Sequence, residues 1–160
     1  MLFDLRVEIE RSQVTLTLSN GTLVHGSAFV AAGCASHQGP ERIKDLLNAE
    51  DGFFPFEIEQ EGEHHVALYH REHVMLVSLP NHDEPRQDPG YDVAVTRNVS
   101  VLLADGNRLN GRVRVYLPHG RDRLSDYARG SESFRYLEGH DGTYIINARY
   151  IVELREINER

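Results

Sequence analysis

The clearest signal in the chain is a two-residue alternation that occurs twice. Val14, Leu16 and Leu18 alternate with Thr15, Thr17 and Ser19, the pattern of a strand with one buried face. Asn20-Gly21 follows at once. This is a strong hairpin signal, and it predicts a two-residue turn with both central residues at positive φ. The returning strand is expected from about Leu23 to Ala31, with Gly26 marking a bulge, a bend or a close backbone approach. The block recurs 85 residues later as Val99, Val101 and Leu103, then Asp105-Gly106, then a strand from Arg108 to Leu117 carrying Gly111. Arg42–Asp45 realigns with Arg123–Asp126, and Phe53 with Phe134, at an offset of 81. Leu68-Tyr69-His70 and Val74 realign with Ile145-Ile146-Asn147 and Ile151 at an offset of 77.

Each copy is thus predicted as two long strands, a short helix starting near Pro40 or Arg123, a Phe-containing segment and two short closing strands. A further strand is expected ahead of each copy, through Leu5, Val7 and Ile9 and again through Val93 and Val95. Residues 80–92 hold three prolines and a glycine without a large apolar side chain before Tyr91, and read as a linker. The division is therefore 1–79, a first repeat; 80–92, the linker; and 93–160, a second repeat.

The run apolar-x-apolar-x-apolar-x-Asn/Asp-Gly-x-x-apolar-x-Gly-x-apolar resembles the first motif of Sm-like small barrels. It is carried by Val14, Leu16, Leu18, Asn20, Gly21, Val24, Gly26 and Ala28, and again by Val99, Val101, Leu103, Asp105, Gly106, Leu109, Gly111 and Val113. The two closing strands are similar to the second Sm motif, and SH3-type barrels share the same strand–turn–strand logic. The resemblance implies a mainly β fold of two tandem small Sm/SH3-like barrels, each with one short inserted helix. It departs in its helix, which follows the second strand. It departs also in its last turns, His70-Arg71-Glu72 and Asn147-Ala148-Arg149, where the Sm Arg-Gly is missing. No Asp-x-apolar-x-Asn segment follows Val30 or Val115, so barrel geometry carries over and the Sm RNA site does not.

Composition narrows the classes. Of 160 residues, 40% are apolar and 26% charged, too mixed for a disordered chain, and no apolar run reaches the length of a membrane-spanning helix. The opening residues lack the basic-then-apolar run of a secretory leader, and the single cysteine, Cys34, cannot form an internal disulfide. The expectation is a cytoplasmic protein without a membrane partner.

Charge is unevenly divided: residues 1–92 carry 6 basic and 16 acidic side chains, residues 93–160 carry 11 and 9. In the second copy Arg108, Arg112, Arg114 and Tyr116 share one strand face, with Arg121 just beyond. Such a stripe suits an acidic partner, within the chain or on another protein, or a phosphate backbone; the net charge of −8 weighs against nucleic acid. The matching face of the first copy presents Leu23 and Phe29, an apolar patch that suggests an interface. Arg42/Asp45 and Arg123/Asp126 read as structural ion pairs at helix starts.

His64, His65, His70 and His73 fall within ten residues, yet no cysteine or patterned carboxylate completes a metal set there, and Cys34 with His37 is half a site. There is no nucleophile elbow and no phosphate loop; Lys44 is the only lysine, and Glu57, Glu59, Glu61 and Glu63 read as a solvated face. The expectation is a non-catalytic protein-interaction or scaffold module without cofactor or metal, which binds a protein partner or a second copy of itself. The alternatives are an Sm-like RNA binder using the arginine face, then a metal-dependent enzyme using the His64–His73 cluster.

Overall fold

A computed structural model describes residues 8–32, 41–118 and 120–158. Leu5, Val7, Cys34, His37 and Pro40 lie outside the described residues. The elements in chain order are β1 (Ile9–Leu18), β2 (Leu23–Ala31), α1 (Ile43–Ala49), β3 (Phe53–Gln60), β4 (Glu63–His70), β5 (Val74–Leu79), α2 (Asp83–Arg86), β6 (Val95–Leu103), β7 (Arg108–Val115), α3 (Leu124–Ala128), β8 (Phe134–Glu138), β9 (Thr143–Asn147) and β10 (Ile151–Glu156). Short 3-10 turns cover Arg71–His73, Tyr91–Val93 and Ala148–Tyr150. Ile9 belongs to β1 itself, and Val93 lies in a 3-10 turn, so neither marks a separate preceding strand.

The expectation of two tandem small barrels is met in its β-rich part only. Among the described residues the ten antiparallel strands all belong to one sheet, in the order β10-β6-β7-β8-β9-β5-β1-β2-β3-β4, and the sheet is not closed. That order contains the same five-strand sequence twice, β5-β1-β2-β3-β4 and β10-β6-β7-β8-β9. The registers repeat too. Leu16 faces Val77 as Val101 faces Leu154, and a register shift falls beside Leu18/Val74 and beside Leu103/Ile151. The closing strands of each half do not form a hairpin. The 3-10 turn sends β4 to one side and β5 to the far side of β1.

Alternation places Val14 and Leu16 of β1, and Val99, Val101 and Leu103 of β6, in the interior. The first core also takes Val24, Ala28 and Val30 from β2, Ile43 and Leu47 from α1, and Phe54 and Phe56 from β3. It reaches Val74 and Val77 of β5, three strand spacings from β3, roughly 14 Å on a flat sheet. The sheet must therefore curl for these residues to share one core. Gly26 permits the tight crossing of β2 and β3: a Cβ there would lie 2.0 Å from the Glu57 carbonyl oxygen. Gly111 has the same role, with 2.7 Å to the Glu138 carbonyl oxygen.

The hairpin turns differ from the expected form. Gly21 and Gly106 have φ of 89° and 86°, whereas Asn20 and Asp105 are not at positive φ. Leu18 C=O accepts from Gly21 N–H, and Leu18 N–H donates to Thr22 C=O, which is a type I turn closed by a left-handed glycine. Asn20 Oδ1 accepts the Thr22 N–H at 3.0 Å, and Asp105 Oδ1 the Asn107 N–H at 2.9 Å. The side chain satisfies the turn without the left-handed strain that a two-residue turn would impose on it.

Candidate functional site

The two halves meet strand to strand. β5 of the first pairs with β9 of the second, with Leu76 opposite Ile146 and Val77 opposite Ile145. Their cores interlock: Met75 and Leu76 lie in the second core, Phe134 and Ile145 in the first. Buried Asn147 donates through Nδ2 to the Val74 carbonyl at 3.0 Å. Asn48 on α1 bridges to β8 in both senses, donating to the Phe134 carbonyl at 3.0 Å and accepting the Phe134 N–H at 2.9 Å. At the rim Arg149 pairs with Glu72 at 3.2 Å, and Tyr150 Oη donates to the Glu72 carbonyl at 2.5 Å.

Residues 80–92, read as a linker, reinforce this joint. Glu84 on α2 accepts the N–H groups of Ile43 (3.1 Å) and Lys44 (3.4 Å), capping α1, which has free donors in its first turn. It also accepts from Tyr136 Oη at 3.0 Å. Burial raises the Glu84 pKa above the usual carboxylate range, although these donors and the nearby Arg42 pull it down. Burial, then the Glu84 charge, raises the Tyr136 pKa. Arg42 is buried; its guanidinium grips Asp45 through two bonds of 3.0 Å and reaches Asp88 in the linker. Burial alone would lower its pKa, but the bonds to Asp45 and Asp88 outweigh it and raise the pKa. Its counterpart Arg123 is exposed, and there Asp126 accepts only the Arg123 backbone N–H, at 3.3 Å.

Between linker, α3 and β8 lies a cavity of about 400 Å³, lined by Val115, Tyr116, Leu117, Tyr127 and Tyr136 among others. Its cations are already engaged. Lys44 Nζ pairs with Glu132 at 2.9 Å over the Tyr136 ring, Arg114 pairs with Glu138 at 2.8 Å, and Arg135 donates to the carbonyls of Glu132, Tyr127 and Gly130. Burial pushes the Tyr127 phenol up to about 12, and burial with the Asp88 charge raises Tyr116. At neutral pH the cavity therefore offers rings and neutral hydroxyls rather than a phenolate.

The arginine face is partly neutralised within its own half. Arg114 stacks on Tyr91, 3.5 Å from the ring centroid, as well as pairing with Glu138, and Arg108 pairs with Glu153 at 3.1 Å. Arg112 and Arg121 are exposed. In the first half Leu23 is exposed, while Phe29 is half-buried beside Arg11, 5.9 Å from its ring. His64 pairs with Glu57 at 3.2 Å, His70 Nδ1 accepts the Glu72 N–H, and His73 bonds Ser19 at 3.1 Å. Among the described residues no group of three or more His, Cys, Asp or Glu side chains is arranged to hold a metal ion.

The ends of the sheet are the surfaces that the sequence left unassigned. β4 is one edge and β10 the other. Phe53, Val66 and Leu68 are exposed at the β4 end, and Val152 at the β10 end. The strand pattern held a signal. Val74-Met75-Leu76-Val77 is apolar throughout, as in a strand buried on both faces, whereas Ile151-Val152-Glu153-Leu154-Arg155-Glu156 carries charges, as edge strands do.

The chain matches no known family profile, no curated protein and no solved structure. No helix among the described residues is long and apolar enough to cross a membrane.

Proposed function

We propose that this chain is a non-catalytic interaction or scaffold module, built from two fused Sm/SH3-like units, whose working surfaces are the open edges of its sheet. The observation that carries this reading is that, among the described residues, the end strands β4 and β10 are paired on one side alone and flanked by exposed apolar side chains. An open edge offers a row of backbone donors and acceptors to a strand from another protein, and side chains beside it supply specificity. The engaged cations of the cavity and the internal pairing of Arg108 and Arg114 support protein contact over phosphate contact.

The test compares two readouts on the same protein. Sedimentation of the wild type should show association that Leu68→Lys or Val152→Lys weakens. Anisotropy of a labelled mixed-sequence RNA should show no binding at about 50 mM salt. RNA binding that falls steeply by about 200 mM salt and is lost in Arg112→Ala/Arg121→Ala would replace this reading with nucleic-acid binding.

A further inference from the structure

The joint inside the chain is head-to-tail. It uses the last strand of the first half, β5, and the fourth strand of the second, β9. The outer edges are the complementary pair of the same joint, because β10 is the last strand of the second half and β4 the fourth strand of the first. A heterologous joint of this kind uses two different surfaces, and a chain that still exposes both can repeat it.

Equivalent side chains differ between the inner and outer joints as expected if the outer one awaits a partner. Met75 is 1% exposed and its counterpart Val152 is 64% exposed. Phe134 is 3% exposed and Phe53 is 61%. Ile145 is fully buried and Leu68 is 65% exposed. Like positions are buried where a neighbouring half covers them and open where none does.

We propose that β10 of one chain pairs antiparallel with β4 of a second copy, in the register of the β5–β9 joint. This rests on the proposal that the sheet edges are the interaction surfaces. Carrying the inner register over by the repeat offset of 77 sets Leu154 opposite Leu68, Arg155 opposite Ala67 and Glu156 opposite Val66. No like charges face each other in this register. It also brings Arg149 of one chain to Glu72 of the next, the pairing already made within the chain at 3.2 Å. The outer joint has Arg129 where α1 offers Asn48, so it is weaker than the inner one and forms as concentration rises. Repetition gives a ring if the rotation closes and a filament if it does not.

The experiment is disulfide trapping of Ala67→Cys/Arg155→Cys in a Cys34→Ser background. Opposed Cα atoms in an antiparallel pair lie about 4.5–5.5 Å apart, within disulfide reach. The two positions are at opposite ends of the open sheet, so the bond forms only between chains. A non-reducing ladder extending beyond dimer, absent in either single variant and much slower in His65→Cys/Arg155→Cys, is the expected result. A ladder of equal yield in the off-register pair overturns the proposal. So does an absent ladder when circular dichroism shows the reduced variant folded. If association remains sensitive to Leu68→Lys in that last case, edge binding survives and only the head-to-tail register fails.

Discussion

Replacing Phe134 with alanine should cost far more than replacing its repeat counterpart Phe53. The two residues have the same chemistry and the same place in their halves, but Phe134 is inserted into the other half's core and Phe53 faces solvent. Burying a phenylalanine side chain removes on the order of 150–250 Å² from water, an upper bound of about 4–6 kcal/mol. Measured core Phe→Ala losses of about 3–5 kcal/mol set the expected cost. That is a large share of a typical total stability of about 5–15 kcal/mol. Phe53 packs edge-on to His70, centroids 4.9 Å apart, so Phe53→Ala should lose about 0.5–1 kcal/mol. Urea unfolding followed by circular dichroism and tyrosine fluorescence measures both. Losses for the two variants within about 1 kcal/mol of each other would refute the reasoning, because the β5–β9 joint would then not be burying Phe134 in solution.

Gly26→Ala should cost about 3 kcal/mol or more and Gly111→Ala about 1–3 kcal/mol, following the 2.0 and 2.7 Å approaches to backbone oxygens; equal, small losses in thermal unfolding would show that β3 and β8 can retreat. Arg42→Ala, which removes the buried guanidinium shared by Asp45 and Asp88, should lose about 3–5 kcal/mol, whereas Arg123→Ala should stay under about 1 kcal/mol in the same assay. Glu84 binds its proton more tightly folded than unfolded, so its contribution to stability falls as pH rises from its ordinary value of 4.5 through its raised value. Glu84→Gln should flatten that part of the stability-versus-pH curve, and an unchanged slope would contradict the burial argument.

Much of each half is legible in local patterns. The alternation at Val14–Leu18 and Val99–Leu103, the Asn-Gly and Asp-Gly turns and the Arg–Asp helix starts each depend on neighbours a few residues away. The joint is not local. β5 and β9 are separated by α2, α3 and three intervening strands, and which short strand becomes an edge depends on pairing across that distance. The apolar run Val74–Val77 was the one trace of it in the sequence. The role of the charges in residues 80–92 is non-local for the same reason. Asp88 and Glu84 look like solvated linker charges until the fold brings Arg42 and the first turn of α1 to them. The arginine stripe was visible as a strand face, but its partners Glu138 and Glu153 come from other strands.

Hydrogen exchange at low and high protein concentration tests the central claim most directly, that one joint holds the halves together and is repeated between chains. Amides in β5 and β9 should exchange slowly at every concentration. In dilute protein the outward amides of β4 and β10 should exchange fast, then slow together as concentration rises. Fast exchange in β5 and β9, or outer strands that never gain protection as the protein is concentrated, would contradict it.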